Sequence, residues 1–381
     1  MKTQNIKYRI TSIDALRGLV MLIMLVDHVR ERVFLHAQVL DPMDISTTNT
    51  GLFFTRLSAH ICAPVFIFLT GLSAWLYENP NNKPKRSARA FLFKRGLFII
   101  VLEITIINFS WFGYYETLYL QVMWAIGLSM LFLAAIIKLP NIYIALIGGV
   151  IIFGHNALSG IEFNSNDWFY NIWTILHDRG MLNTNNFANI KVSYPVLPWL
   201  GLICIGYFSG SIYNQNIKPN QRFKILRIVS ISCLGLLVIL RGFNFYGETL
   251  AWKTQDTITK TIMSFLNYTK YPPSLDFLLF TMAIGTYLLV IFEKYESKTT
   301  DILKTFGGSP MFFYVLHLYV LLALYNILLV IFGKNKGNYF GVDNLWLVWL
   351  IAVILSFLMY LPVKKFGEYK RKSKSKWIKY F

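Results

Sequence analysis

Apolar residues run along this chain in ten stretches long enough to cross a hydrocarbon core of about 30 Å, for which a helix needs roughly 20 residues. They fall at about 13–34, 52–77, 91–110, 118–137, 142–158, 195–212, 225–243, 274–292, 309–332 and 345–363. The pattern predicts an all-α fold, a polytopic membrane helical bundle of about ten transmembrane helices. Residues 1–363 form one unit, and 364–381 form a basic tail. The fifth run is the weakest, because Gly148, Gly149 and Gly154 interrupt it. An even number of spans places both termini on one side.

Composition agrees with a membrane assignment. Of 381 residues, 55% are hydrophobic and only 15% charged, against about 25% charged in a soluble domain. The positions of lysine and arginine then choose the side. With the N-terminus cytoplasmic, the inner segments hold 26 of the 37 basic residues, among them Lys85-Arg86, Lys94-Arg95 and most of the tail from Lys370 onward. The net charge of +18 is therefore a topology signal and an attraction for anionic membrane lipid, not a nucleic-acid footprint. Met1 to Arg9 resembles the basic start of a signal peptide, but no small-residue cleavage site follows, which predicts a retained first span. Cys62, Cys204 and Cys233 all lie in apolar runs without metal-site spacing and read as small core residues.

The first span carries charges that a plain anchor would lack. Asp14 and Arg17 stand at its entrance, and Asp27 and His28 stand near its far end. Eleven residues separate Arg17 from His28, about 16 Å of helix, so one helix carries a guanidinium near one face and an imidazole toward the other. Ionisable groups inside a span are costly and point to function; the bland alternative is a charge pair tying this span to its neighbours. There is no Walker loop, HExxH, Cys-x-x-Cys pair or serine elbow. What remains is histidine. His28, His36 just beyond the first span, and His60 at the start of the second converge on the outer side, where Asp27 or Asp41 could orient one of them as a proton acceptor. His317, alone on the apolar ninth run, reads as a hydrogen-bonded core residue. Histidines eight residues apart do not make the i, i+4 pair of a helical metal site, and no metal is expected. On the inner side, Asp14, Arg17, Lys94 and Arg95 suit the phosphates of a polyanionic donor, although such basic residues are also ordinary membrane anchors. The outer segments 34–50, 156–194 and 244–273 mix aromatics, amides and carboxylates suited to a sugar ring, a pattern that interfacial tryptophan and tyrosine also produce.

These residues fall in blocks that resemble a known family. Ser12-Ile13-Asp14-Ala15-Leu16-Arg17-Gly18-Leu19 followed by Asp27-His28-Val29-Arg30 is similar to the opening of the heparan-α-glucosaminide N-acetyltransferase catalytic-domain family, and most similar to its bacterial branch. Cys62 to Gly71, Lys94-Arg95-Gly96-Leu97 with Leu102 to Thr105, Tyr194 to Gly201, and Phe306 to Pro310 with His317-Leu318-Tyr319 follow in the same order. The resemblance implies an integral-membrane acetyltransferase, placed in a bacterial inner membrane. Such an enzyme would move an acetyl group from cytoplasmic acetyl-CoA to an amine or hydroxyl of a sugar or glycan on the other side, with a histidine as base. It also implies a homodimer. His36 matches the catalytic histidine of the lysosomal member, while Arg17 and His28 match the arginine–ten residues–histidine motif of the broader membrane acyltransferases. The lysosomal member has asparagine at the position of His28 and aspartate at that of His60, so sequence leaves the choice of base open. On the physics of buried charges alone, a proton-coupled transporter or flippase of a glycan precursor, with Asp27, His28 and His60 as its relay, fits as well.

Overall fold

The computed structural model describes residues 10–34, 43–81, 84–185, 188–375 and 377–381. His36 and Asp41 lie outside the described residues. Helices form on all ten apolar runs. In chain order they are α1 (Thr11–Val33), α2 (Thr50–Ser58), α3 (Cys62–Glu78), α4 (Arg89–Leu102), α5 (Asn108–Phe112), α6 (Val122–Ile136), α7 (Asn141–Gly154) and α8 (Tyr170–Leu176). There follow α9 (Leu197–Ser209), α10 (Pro219–Gly242), α11 (Ile258–Phe265), α12 (Leu275–Lys294), α13 (Lys298–Gly307), α14 (Pro310–Phe332) and α15 (Leu345–Lys372).

Among the described residues, six helices are long and apolar enough to cross a membrane: Thr50–Glu78, in which a 3₁₀ turn joins α2 to α3, then Asn141–Leu158, and α10, α12, α14 and α15. Helices α6 and α9 are apolar but shorter. The 23 residues of α1 are long enough, but Asp14, Arg17, Asp27, Arg30, Glu31 and Arg32 make it too polar for that set. Helix α4, at 14 residues, is too short for that set, and the chain loosens at Glu103–Ile107 into a π-helical turn before α5.

Three departures from the hydrophobic pattern bear on the site. The run at 118–137 is not one helix: Leu118–Leu120 is a strand, β1, and only from Val122 does the chain turn helical. Strands β2 (Gly180–Met181) and β3 (Ile190–Val192) complete a small sheet, with β3 parallel to β1 and antiparallel to β2. Apolarity alone does not separate a short buried strand from a helix start. Helix α13, unmarked by any long apolar run, is capped by Ser297, whose side chain accepts from the Thr300 N–H. Helix α15 also continues beyond 363 through Lys372, because the lysines, Glu368 and Arg371 favour helix enough to carry it past Gly367.

Helix pairs α1·α13 and α3·α9 pack backbone to backbone. A Cβ at Gly18 would overlap the Leu303 carbonyl oxygen, and one at Gly307 would overlap that of Asp14. Gly71 and Gly206 make the same close approach between α3 and α9. The Gly18 and Gly307 contacts clamp the Arg17 end of α1 against α13.

Candidate functional site

The last two turns of α1 bring the ionisable residues of the first span into a cavity of about 670 Å³, within the usual size of a ligand site. Asp27, His28 and His60 all line it, together with Arg56, Lys270 and Tyr271. Helix α1 remains continuous from Arg17 to His28, so the two ends of the motif stay about 16 Å apart along the axis.

His28 is held by a second histidine. Its Nδ1 lies 2.7 Å from Nε2 of His317, and the rings stack at 15°. His317 Nδ1 lies 2.9 Å from the carbonyl oxygen of Phe313 one helical turn earlier. A carbonyl only accepts, so Nδ1 of His317 carries the hydrogen and its Nε2 offers a lone pair. His28 must then donate from Nδ1, which leaves its own Nε2 unprotonated. Trp111 and Tyr314 pack edge-on against the His28 ring at 5.1 and 6.3 Å, and Nε2 has no protein hydrogen-bond partner among the described residues. The arrangement presents a neutral imidazole with a directed lone pair.

The carboxylate expected to orient a histidine has other partners. Asp27 accepts from Arg30 Nε at 3.0 Å and from Arg56 across the helix pair, and Arg30 and Arg56 also reach Glu31. All three members of the Asp27–Arg30–Arg56 cluster are less than a tenth exposed. His60 is 1% exposed, packs on Phe277 at 5.0 Å, and has no hydrogen-bond partner at Nδ1 among the described residues. Arg32 is held by the carbonyls of Ser110 and Trp111, which ties α1 to the end of α5.

The far wall comes from loops. Tyr194 and Tyr271 bring their hydroxyls within 3.3 Å, with Lys270 5.3 Å and Arg179 4.9 Å from the centre of the Tyr271 ring. Burial disfavours both phenolates and, with Tyr271 beside it, raises Tyr194. At Tyr271 the charges of Lys270 and Arg56 outweigh burial and hold the pKa below the ordinary phenol value.

At the other end of α1, Arg17 donates to Asp14 at 3.1 Å, to the Gly307 carbonyl at 3.3 Å and to Ser73 at 3.2 Å. Lys94 is exposed and Arg95 half-buried on α4, with the Arg95 guanidinium 5.7 Å from the Phe91 ring. None of these four lines the His28 cavity. A smaller cavity of about 240 Å³ adjoins Asp14, Lys304, Ser309 and Arg371 instead.

The sequence model of the family described as "Heparan-alpha-glucosaminide N-acetyltransferase, catalytic" matches residues 9–240. The chain belongs to that family. No curated protein matches it. Membership in the heparan-alpha-glucosaminide N-acetyltransferase family implies an acyltransferase, and the six long apolar helices agree with a place in a membrane. The matched stretch contains Arg17, Asp27, His28, Arg56 and His60, and Tyr194 as well. His317, Lys270 and Tyr271 lie beyond it, so part of the site is built by the second half of the chain. Arg56 was not marked locally as the partner of Asp27, because the pairing joins residues 29 apart. Nothing local marked His317 as the partner of His28, because the pairing joins residues 289 apart. Among the described residues, no group of three or more His, Cys, Asp or Glu side chains could hold a metal ion.

Proposed function

We propose that the protein acetylates an amine or hydroxyl of a sugar or glycan, with acetyl-CoA as donor and His28 as general base. The observation that supports this reading is the His28–His317 pair, which fixes an unprotonated Nε2 on the wall of a ligand-sized cavity. The acceptor N–H or O–H gives its proton to Nε2 as its lone pair attacks the thioester carbonyl carbon. The C–S bond then breaks, and His28 returns the proton to the departing thiolate. As His28 becomes cationic, the shared hydrogen on Nδ1 stays on its bond to His317, and Asp27 supplies nearby negative charge. Ten spans with both termini cytoplasmic, in a bacterial inner membrane, place Arg17, Lys94 and Arg95 where the donor enters and His28 and His60 where the acceptor arrives. In this reading Arg17 keeps the inner end of α1 in place through Asp14, Ser73 and Gly307.

The test is acetyl-CoA turnover by purified protein in nanodiscs offered glucosamine-type acceptors. His28→Ala should abolish acceptor-dependent CoA release while acetyl-CoA binding persists. Wild-type protein that neither binds nor consumes acetyl-CoA would overturn the proposal in favour of a proton-coupled carrier.

A further inference from the structure

The His28 cavity carries six cations, Arg30, Arg32, Arg56, Arg179, Lys191 and Lys270, against two carboxylates, Asp27 and Glu31. Three of the six are accounted for within the protein: Arg30 and Arg56 by Asp27 and Glu31, and Arg32 by the Ser110 and Trp111 carbonyls. The other three have no ion pair with a carboxylate among the described residues: Arg179 and Lys270 rest on aromatic faces, and Lys191 lies on β3. They come from three separate segments: the turn before β2, strand β3 and the loop before α12. All three face one hollow.

Like charges gathered in a concave, partly desolvated site repel one another until an anion neutralises them. One arginine satisfies one carboxylate, so three converging cations match a ligand that carries several negative charges on a small group. Lys270 also lies within electrostatic reach of Asp27, His28 and His60, so a ligand held there sits beside the lone pair of His28.

We infer that Arg179, Lys191 and Lys270 form an anion subsite that holds a phosphate or pyrophosphate group of the acceptor, so that the acetylated sugar is a phosphorylated one. This rests on the acyltransferase reading for the word acceptor, since the donor's phosphates would then lie at the Arg17 end. The subsite itself does not depend on that reading. Tyr271, bracketed by Lys270 and Arg179, is its aromatic floor.

The experiment is calorimetric binding of inorganic pyrophosphate to the protein in nanodiscs, with acetyl-CoA binding measured on the same sample. The expected result is salt-sensitive binding weakened about tenfold by each of Arg179→Gln, Lys191→Gln and Lys270→Gln and largely restored by Lys270→Arg. No binding, or binding indifferent to all three Gln variants, overturns the subsite. If acetyl-CoA still binds in that case, the transferase reading survives it. Pyrophosphate that binds in the expected way without any acetyl-CoA binding supports the subsite and removes the transferase. Displacement of pyrophosphate by acetyl-CoA would give these cations to the donor and overturn their assignment to the acceptor.

Discussion

The Phe313 carbonyl decides which nitrogen of His28 faces the cavity, although His28 and Phe313 lie on different helices. The decision passes through His317, 2.9 Å from one and 2.7 Å from the other. His28→Ala removes the base itself and should lower turnover by about 10²–10⁴. His317→Ala leaves Nε2 in place but frees the ring to take either tautomer. Partners that orient a working histidine are worth roughly 10–100-fold, and the loss should fall on kcat with acetyl-CoA binding intact. A glutamine at 317 can still accept from Nδ1 and should recover much of the rate. If His317→Ala and His317→Gln behave alike, and both simply reduce the amount of folded protein, the orienting role is wrong.

Asp27 is wedged between two guanidiniums in a site less than a tenth exposed. Removing one partner of such a cluster strands charge rather than merely deleting an attraction, at a cost of about 3–5 kcal/mol. Arg56→Met should therefore lower the thermal midpoint in detergent markedly, and Arg56→Lys should lower it less. Equal midpoints for wild type and Arg56→Met would mean that Arg30 alone satisfies the carboxylate.

The bundle and the helix carrying the site were legible because both are written locally. Long apolar runs mark helices, and charges within the first run mark its unusual role. Asp27, His28 and His60 do line one cavity, since α1 packs against the turn between α2 and α3 that carries His60. The partner of His28 was not legible, because His317 looks like any histidine on an apolar helix until α14 is packed against α1. The role suggested for Asp27 was reasonable from adjacency, but neighbours in a helix point about 100° apart, and Asp27 turns toward Arg56. Lys270, Lys191 and Arg179 were invisible as a group for the same reason: two loop positions and one strand position share no periodicity, and the small sheet and the loop before α12 bring them together. The strand at Leu118–Leu120 was hidden inside an apolar run because its pairing partner lies some 70 residues on.

The α1·α13 contact predicts a contrast between glycines of identical chemistry. At Gly18 and Gly307 an added methyl would strike backbone carbonyl oxygens that cannot move aside without separating the helices. Gly18→Ala or Gly307→Ala should cost about 1–3 kcal/mol through overpacking. Gly149, inside α7, has nothing within 4 Å of the same position. There Gly149→Ala should be neutral or stabilising by roughly 0.5–1 kcal/mol, since only the unfolded chain loses freedom. Thermal midpoints of the three variants decide it, and a destabilised Gly149→Ala would sink the steric argument.

Tyr271 provides a readout of the cationic wall that needs no substrate. Its phenol lies below the ordinary value even though burial pushes the other way, because Lys270 and Arg56 stabilise the phenolate. Lys270→Gln removes one of those charges and should move the Tyr271 titration upward, visible in ¹³Cζ-tyrosine spectra with Tyr271→Phe supplying the assignment. The same shift has a thermodynamic sign. A phenol whose pKa is depressed on folding adds stability that is complete above the unfolded phenol value and is lost as pH falls through the folded one. Between those two values the wild type should therefore gain stability with rising pH relative to Lys270→Gln. A Tyr271 resonance that titrates identically in both proteins would show that the ammonium does not face the ring, and the anion subsite would lose its floor.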